Sequence, residues 1–279
     1  MVAPAAARLS LNTATTRKQW NLAQAIEGCA RHDIAGIAPW RDQLHTMGVD
    51  RAAQAIRAHG LTVTGLCRGG MFTGVDLAAR QTAIQDNLRA LEEAHALQAR
   101  CLILVAGGLP TGSKDVAGAR AQVREGIARI LPAARQARVP LAIEPLHPMY
   151  AADRACINTL AQALDVCDAV DPLGEGGIGV AVDVYHVWWD PNLQRDIARA
   201  GARRLLAFHL CDWLVPTTDL LNDRGMMGDG VIDLPLIRSW MEAAGYDGLH
   251  EVEIFSNRWW KVDPDLVLQT CKERHTAYC

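Results

Sequence analysis

Four stretches in the second half of the chain each run from apolar residues straight into an ionisable one. LAIEPLHP reaches Glu144, GVAVDVYH reaches Asp183, LAFHLCD reaches His209 and HEVEIFS reaches Glu253. If these runs are consecutive strands of one barrel, three carboxylates and an imidazole converge near its axis. A buried carboxylate is costly unless neutralised, and three together repel strongly. A divalent cation resolves that conflict, and an oxygen-rich set with one nitrogen suits Mn²⁺ first, or Mg²⁺, Co²⁺ or Zn²⁺, with positions left open for water or substrate. Taken singly, Glu144 before Pro145 reads as a strand-end hydrogen bonder and His209 as a satisfied core histidine; the conjunction of four strand ends favours one metal. Glu251 has the parity of Glu253 and faces the same side of its strand. Glu253, nearer the rim, is the preferred ligand and Glu251 the deeper rival.

Such a centre suits proton removal beside a carbonyl. A cation chelated by a ketone oxygen and a neighbouring hydroxyl stabilises the enediolate that forms when the intervening C–H is lost. Glu144 and Glu253, approaching from different strands, would deprotonate one face and reprotonate the other. Return of the proton to the same carbon is epimerisation; return to the adjacent carbon is aldose-ketose isomerisation. The same carbanion can expel a β substituent, so a lyase acting on a 3-keto glycoside or keto-inositol is the alternative, with His147 or His186 as the acid. His147, three residues after Glu144 and flanked by Pro145 and Pro148, suits proton transfer or hydroxyl binding, and equally well an exposed imidazole with neither task. A noncatalytic metal-binding partner subunit is a further alternative.

The elements that must carry these residues follow from the hydrophobic pattern. Short aliphatic runs at Leu9–Asn12, Ile34–Ala38, Leu61–Leu66, Cys101–Val105, Leu141–Ile143, Ile178–Val182, Leu205–His209 and Leu249–Ile254 alternate with helical stretches such as Asp76–Ala96 and Asp115–Ala137, the signature of parallel βαβ units. Asp76, Asp115 and Asp233 signal helix starts, and Gly60, Gly201 and Gly245 signal stops. Eight such units in 279 residues predict an α/β fold, a single (β/α)8 TIM barrel forming one domain over residues 1–279, with its chemistry at the strand C-termini. The first strand is followed by Thr13-Ala14-Thr15-Thr16, which is no dinucleotide-binding GxGxxG loop.

Composition narrows the classes further. Half of the residues are hydrophobic and 21% are charged, so the chain can bury a core without being disordered. A net charge of −3 offers no footprint for nucleic acid or an anionic membrane. No apolar run approaches membrane-spanning length and the N-terminus does not read as a signal peptide; a cytoplasmic protein is expected. The eight cysteines are scattered without CxxC pairs, which predicts reduced thiols. Tryptophan is over-represented, with 8 Trp against 4 Tyr and 3 Phe. Trp40, Trp188, Trp189, Trp213, Trp259 and Trp260 all follow predicted strands, where indoles can stack on a sugar or seal a subunit interface. Trp40, Trp188 and Trp213 are expected to bind substrate, and a homo-oligomer, dimer or tetramer, is expected.

With IEPLHP around Glu144, VDVYH with Asp183 and His186, FHLCD with His209, GDGVID from Gly228 to Asp233 and VEIFS around Glu253, nearly the whole chain resembles the xylose isomerase-like sugar phosphate isomerase/epimerase family. That family includes ketose 3-epimerases, inosose isomerases and dehydratases, and hydroxypyruvate isomerases. The resemblance implies Glu144, Asp183, His209 and Glu253 as metal ligands, and His186 and Arg224 as contacts to substrate oxygens. Ketose 3-epimerases usually carry a second acid six positions after the fifth-strand glutamate, where this chain has Tyr150, so their substrate does not transfer. A related three-metal endonuclease needs extra histidines on earlier strands, whereas GLCRGG and LVAGGLP stand there. Phosphate sites in barrels use Gly-rich loops after the seventh and eighth strands; CDWLVPTTDLLNDRG and FSNRWW stand there, and an unphosphorylated keto sugar, cyclitol or glycoside-derived ketone is expected.

Overall fold

The computed structural model describes residues 8–279. Its framework is a parallel sheet of β1 (Leu9–Asn12), β2 (Gly36–Ala38), β3 (Thr62–Val63), β4 (Leu66–Gly70), β5 (Leu102–Val105), β6 (Leu141–Glu144), β7 (Ile178–Asp183), β8 (Leu205–Leu210) and, beyond a small antiparallel pair of β9 (Asp212–Trp213) and β10 (Arg224–Gly225), β11 (His250–Val252). The nine parallel strands lie in the order β3-β2-β1-β11-β8-β7-β6-β5-β4, a nearly closed TIM barrel wrapped by helices.

Eight predicted strands become nine because the third is broken at Thr64 and Gly65. Before the break the chain pairs with β2, and after it with β5. The seam is still stitched: Thr64 and Cys67 N–H donate to Ile37 and Pro39 carbonyls at 3.1 and 2.9 Å, and Leu66 N–H donates to Cys101 at 3.0 Å. A register shift between Leu66 and Gly69 adds the irregularity of a bulge, so no simple alternation runs through this strand and it continues to Gly70 instead of ending at Leu66.

The remaining strands sort their side chains by parity. On β6, β7 and β8, Ile143, Val182 and Phe208 join the main core beneath the helices, whereas Ala142, Ala181 and Ala207 form a separate cluster with Cys67, Cys101 and Ile103. Small inward residues leave room at the barrel centre for polar groups one step further along. That next inward position is Glu144 on β6, Asp183 on β7 and His209 on β8. The pattern of two therefore aims all three at the axis.

Helix boundaries follow local chemistry. Asp76, Asp115 and Asp233 accept from the N–H groups of Ala79, Gly118 and Leu236 at 2.8, 2.7 and 3.1 Å, capping as expected. Gly60 and Gly245 take φ of +68° and +90° just past two helices. Gly201, at φ +57°, ends the regular helix that begins at Leu193, and a separate short turn follows the kink before β8. All eight cysteines are free thiols. Among the described residues no helix is long and apolar enough to cross a membrane.

At the edge of the core, His250 of β11 meets His275 of the helix Pro264–Tyr278, Nδ1 to Nε2 at 2.9 Å. Burial, aided by the nearby charges of Arg8 and Arg238, holds His250 down to about 3 and His275 down to about 4. Unfolded histidine titrates near 6.5, so between about pH 6.5 and 4 the unfolded chain binds more protons, and stability present above this window is lost as pH falls through it. Urea unfolding at pH 7 and pH 5 should show an acid loss about 2 to 4 kcal/mol smaller in a His250→Gln/His275→Gln protein than in the wild type. An equal loss in both would assign acid sensitivity elsewhere.

Candidate metal centre

The four strand-end residues come together. One ligand atom from each of Glu144, Asp183, His209 and Glu253 lies within 4.8 Å of the other three, and all four side chains are buried. Glu144 and Asp183 close their strands and His209 sits one residue short of the end of β8. Glu253 follows β11, its N–H donating to the Leu210 carbonyl at 3.0 Å. Glu251, on the same face, lies below this ring and not in it.

The floor that receives Glu251 is polar and fully paired. Thr64 Oγ1 donates to Glu251 Oε2 at 2.7 Å and lies 2.9 Å from Ser10 Oγ. Asn12 Nδ2 donates to Glu251 Oε1 at 2.7 Å and to Glu253 Oε1 at 2.9 Å, while its Oδ1 accepts from the Trp40 indole N–H at 2.8 Å. His209 presents Nδ1 to Glu144 Oε1 at 3.0 Å and Nε2 to Glu251 Oε1 at 3.5 Å. A carboxylate behind a ligating histidine fixes its ring and tautomer, the place Glu251 occupies.

Arg224 enters from the opposite side. Its Nη1 donates to Asp183 Oδ2 at 2.9 Å and Glu253 Oε2 at 3.0 Å, and its guanidinium lies 4.5 Å from the Tyr185 ring centroid. The pairing of β9 with β10 delivers it, and Asp212 locks that hairpin: its carboxylate accepts from the backbone N–H groups of Trp213, Gly228, Gly230 and Ile232 at 2.8 to 3.0 Å. A Cβ at Gly230 would stand 2.1 Å from the Trp213 carbonyl oxygen, so the GDGVID turn is needed for close backbone approach. Asp212 was not a candidate from sequence, although it adjoins FHLC.

The electrostatics follow from this packing. Burial alone would raise Asp183, but Arg224 and then His186 hold it below its ordinary value. Burial would lower His209, but Glu251 and Glu144 raise it well above. Burial pushes Glu253 up in spite of Arg224, and Glu144 adds to the rise. Four buried carboxylates thus face a single guanidinium, and His209 Nε2 has no hydrogen-bond partner. The oxygen-rich donor set with one imidazole and its surplus negative charge fit a divalent cation.

Above the cluster opens a cavity of about 660 Å³. Glu144, His186, Arg224, Glu253, Trp40 and Tyr150 line it. His186 is buried and held neutral, its pKa pushed down to about 3 by burial with Asp183 opposing; the His147 backbone N–H faces its Nδ1 at 3.2 Å and Arg224 Nη2 its Nε2 at 3.1 Å.

Three expected site residues stand elsewhere. His147, Trp188 and Trp213 do not line the cavity. His147 stacks on Trp213 at 5.1 Å, and Trp188 lies 5.7 Å from Trp213. These rings pack on one another and on Tyr185, because hydrophobic burial is better served behind Arg224 than in the open mouth. His147 reaches the site only through its backbone contact to His186. The indoles at the cavity are Trp40 and Trp260.

These contacts separate ligand from support. Metal analysis after gel filtration should find that His209→Ala and Glu253→Ala remain folded without retaining metal, whereas Glu251→Gln retains it with affinity weakened about 10- to 100-fold. Full occupancy in His209→Ala would remove that residue from the coordination sphere.

Residues 23–271 match the family described as xylose isomerase-like TIM barrel. The chain is 22% identical to an inosose isomerase of Bacillus velezensis over 277 residues, covering 97% of this chain and 96% of that one. A crystal structure of a Sinorhizobium meliloti protein superimposes with a TM-score of 0.95 at 59% identity, covering 98% of both chains. The crystal structure of an IOLI protein with a bound zinc atom gives 0.83 at 20% identity, over 98% of this chain and 99% of that one. With the match spanning most of its length, the chain belongs to the xylose isomerase-like TIM barrel family.

Proposed function

We propose that this protein is a divalent-metal-dependent isomerase or epimerase of a keto sugar or keto-cyclitol, working by proton transfer beside the carbonyl. The observation that carries the reading is that Glu144 and Glu253, from strands separated by β7 and β8, both line one cavity and both belong to the buried cluster. The isomerase name of the Bacillus velezensis relative and the zinc in the IOLI structure support it.

Glu144, Asp183, His209 and Glu253 would hold the cation, with Mn²⁺ the ion expected of an oxygen-rich set. When bound, the cation supplies positive charge where a ketone oxygen gains negative charge. Glu144 removes the proton from one face of the carbon beside the carbonyl, and the opposite carboxylate, Glu253, delivers a proton to the other face. Delivery to the same carbon inverts it; delivery to the former carbonyl carbon, with the hydroxyl proton passing to the former carbonyl oxygen, moves the carbonyl. Arg224 and neutral His186 orient substrate oxygens, and the Trp40 and Trp260 rings border the pocket and exclude water.

The test is proton exchange. Metal-loaded protein incubated in deuterated water with ketoses, keto-inositols and 3-keto glycosides should place deuterium in a rearranged sugar, followed by NMR. Glu144→Gln and Glu253→Gln should each slow that exchange by about 10²-fold or more. Release of water or an aglycone would make the protein a lyase; exchange at wild-type rate in both variants would remove the two glutamates from the proton path.

A further inference from the structure

The cavity wall carries positive charge that the proposed proton transfer does not use. Arg68, on β4, and Arg154, in the turn after β6, both line the cavity. The other two arginines lining the cavity are paired, Arg17 with Asp42 at 2.6 Å and Arg224 as above. Neither Arg68 nor Arg154 makes an ion pair with any described residue. The Arg154 guanidinium instead lies 5.3 Å from the Tyr150 ring centroid. Asp153, the remaining acid lining the cavity outside the cluster, is exposed and engages neither arginine.

Both arginines are partly withdrawn from solvent. Burial and then the charge of Arg154 press the Arg68 pKa downward, against a smaller opposing pull from Glu144, so two guanidiniums repel on a partly buried wall without a carboxylate in contact with either. An anion relieves both costs at once. Guanidinium groups present paired N–H donors that match the two oxygens of a carboxylate or phosphate, and such charge-assisted bonds are about twice as strong as neutral ones. Lys18, 5.8 Å from the Trp260 ring centroid, adds a further cation at the rim.

We infer that the substrate is an acidic keto sugar, whose carbonyl end meets the carboxylate-histidine cluster and whose carboxylate or phosphate is held by Arg68 and Arg154. This rests on the keto-sugar reading above and narrows its substrate class. The absence of Gly-rich loops after the last strands pointed to an unphosphorylated substrate, but here the anion-binding groups come from β4 and the β6 turn, where backbone loops of that kind are not required. The cavity is of a size that holds a hexose with its acidic group.

A matched set of probes tests it: D-fructose, D-fructose 6-phosphate and D-fructuronate, which carry no charge, a phosphate and a carboxylate at the same carbon. Calorimetric titration of the metal-loaded protein should show at least one anion binding about 10-fold or more tighter than fructose. The tighter of the two identifies phosphate or carboxylate as the group recognised. Arg154→Gln and Arg68→Gln should each reduce that preference to about 3-fold or less, with metal content and thermal melting checked so that misfolding is not mistaken for lost recognition. Equal binding of all three probes, or a preference that survives in both folded variants, overturns the inference. A retained preference for anions without deuterium exchange would instead fault the catalytic reading alone.

Discussion

The structure depends on a charge imbalance buried at the mouth of its barrel. Glu144, Asp183, Glu251 and Glu253 are nearly inaccessible to water, and Arg224 is the one guanidinium that touches the cluster. Every neighbouring feature tempers that arrangement. Asn12 and Thr64 satisfy the lower carboxylate, His209 sits between two others, and the Asp212-pinned hairpin brings Arg224 down from the rim. Small residues at the preceding inward positions, Ala142, Ala181 and Ala207, keep the centre open enough for polar side chains to meet. A well-packed apolar barrel would be simpler to stabilise, so the concentration of charge is the part of the molecule that stability alone does not explain.

Much of this was legible in the sequence because strands impose a period of two and a barrel collects strand ends at one rim. Glu144, Asp183 and His209 could be placed by parity and position alone, and Glu253 could be preferred over Glu251 because it is two residues nearer the rim. The broken third strand was not legible: a bulge interrupts alternation, and the same residues serve two neighbours. Asn12 escaped notice because an asparagine ending a short strand carries no charge to be accounted for, and its role appears only when β1 and β11 are side by side. Arg68 and Arg154 escaped for a related reason, since an unpaired arginine is recognisable only once its surroundings are known.

The aromatic surplus shows a sharper limit. Tryptophans that follow strands do gather at the catalytic end, but direction within a loop is decided by packing. Trp188 and Trp213 turn away from the mouth to form, with His147 and Tyr185, a slab behind Arg224. Of these rings only Tyr185 touches the guanidinium. Trp40 and Trp260 have the same sequence context and the opposite orientation.

Trp40 also shares a single amide with the cluster, since Asn12 accepts from its indole and donates to Glu251 and Glu253. Pocket shape and carboxylate basicity are therefore not independent variables in this barrel. Replacing the indole removes one of two hydrogen bonds to the Asn12 carbonyl, leaving the one from Ala14 N–H at 3.0 Å, and so loosens the amide whose protons hold two acids in place. A change of pocket shape reached through position 40 then carries a second change, in how firmly Glu251 and Glu253 are held, and the two traits would be inherited together.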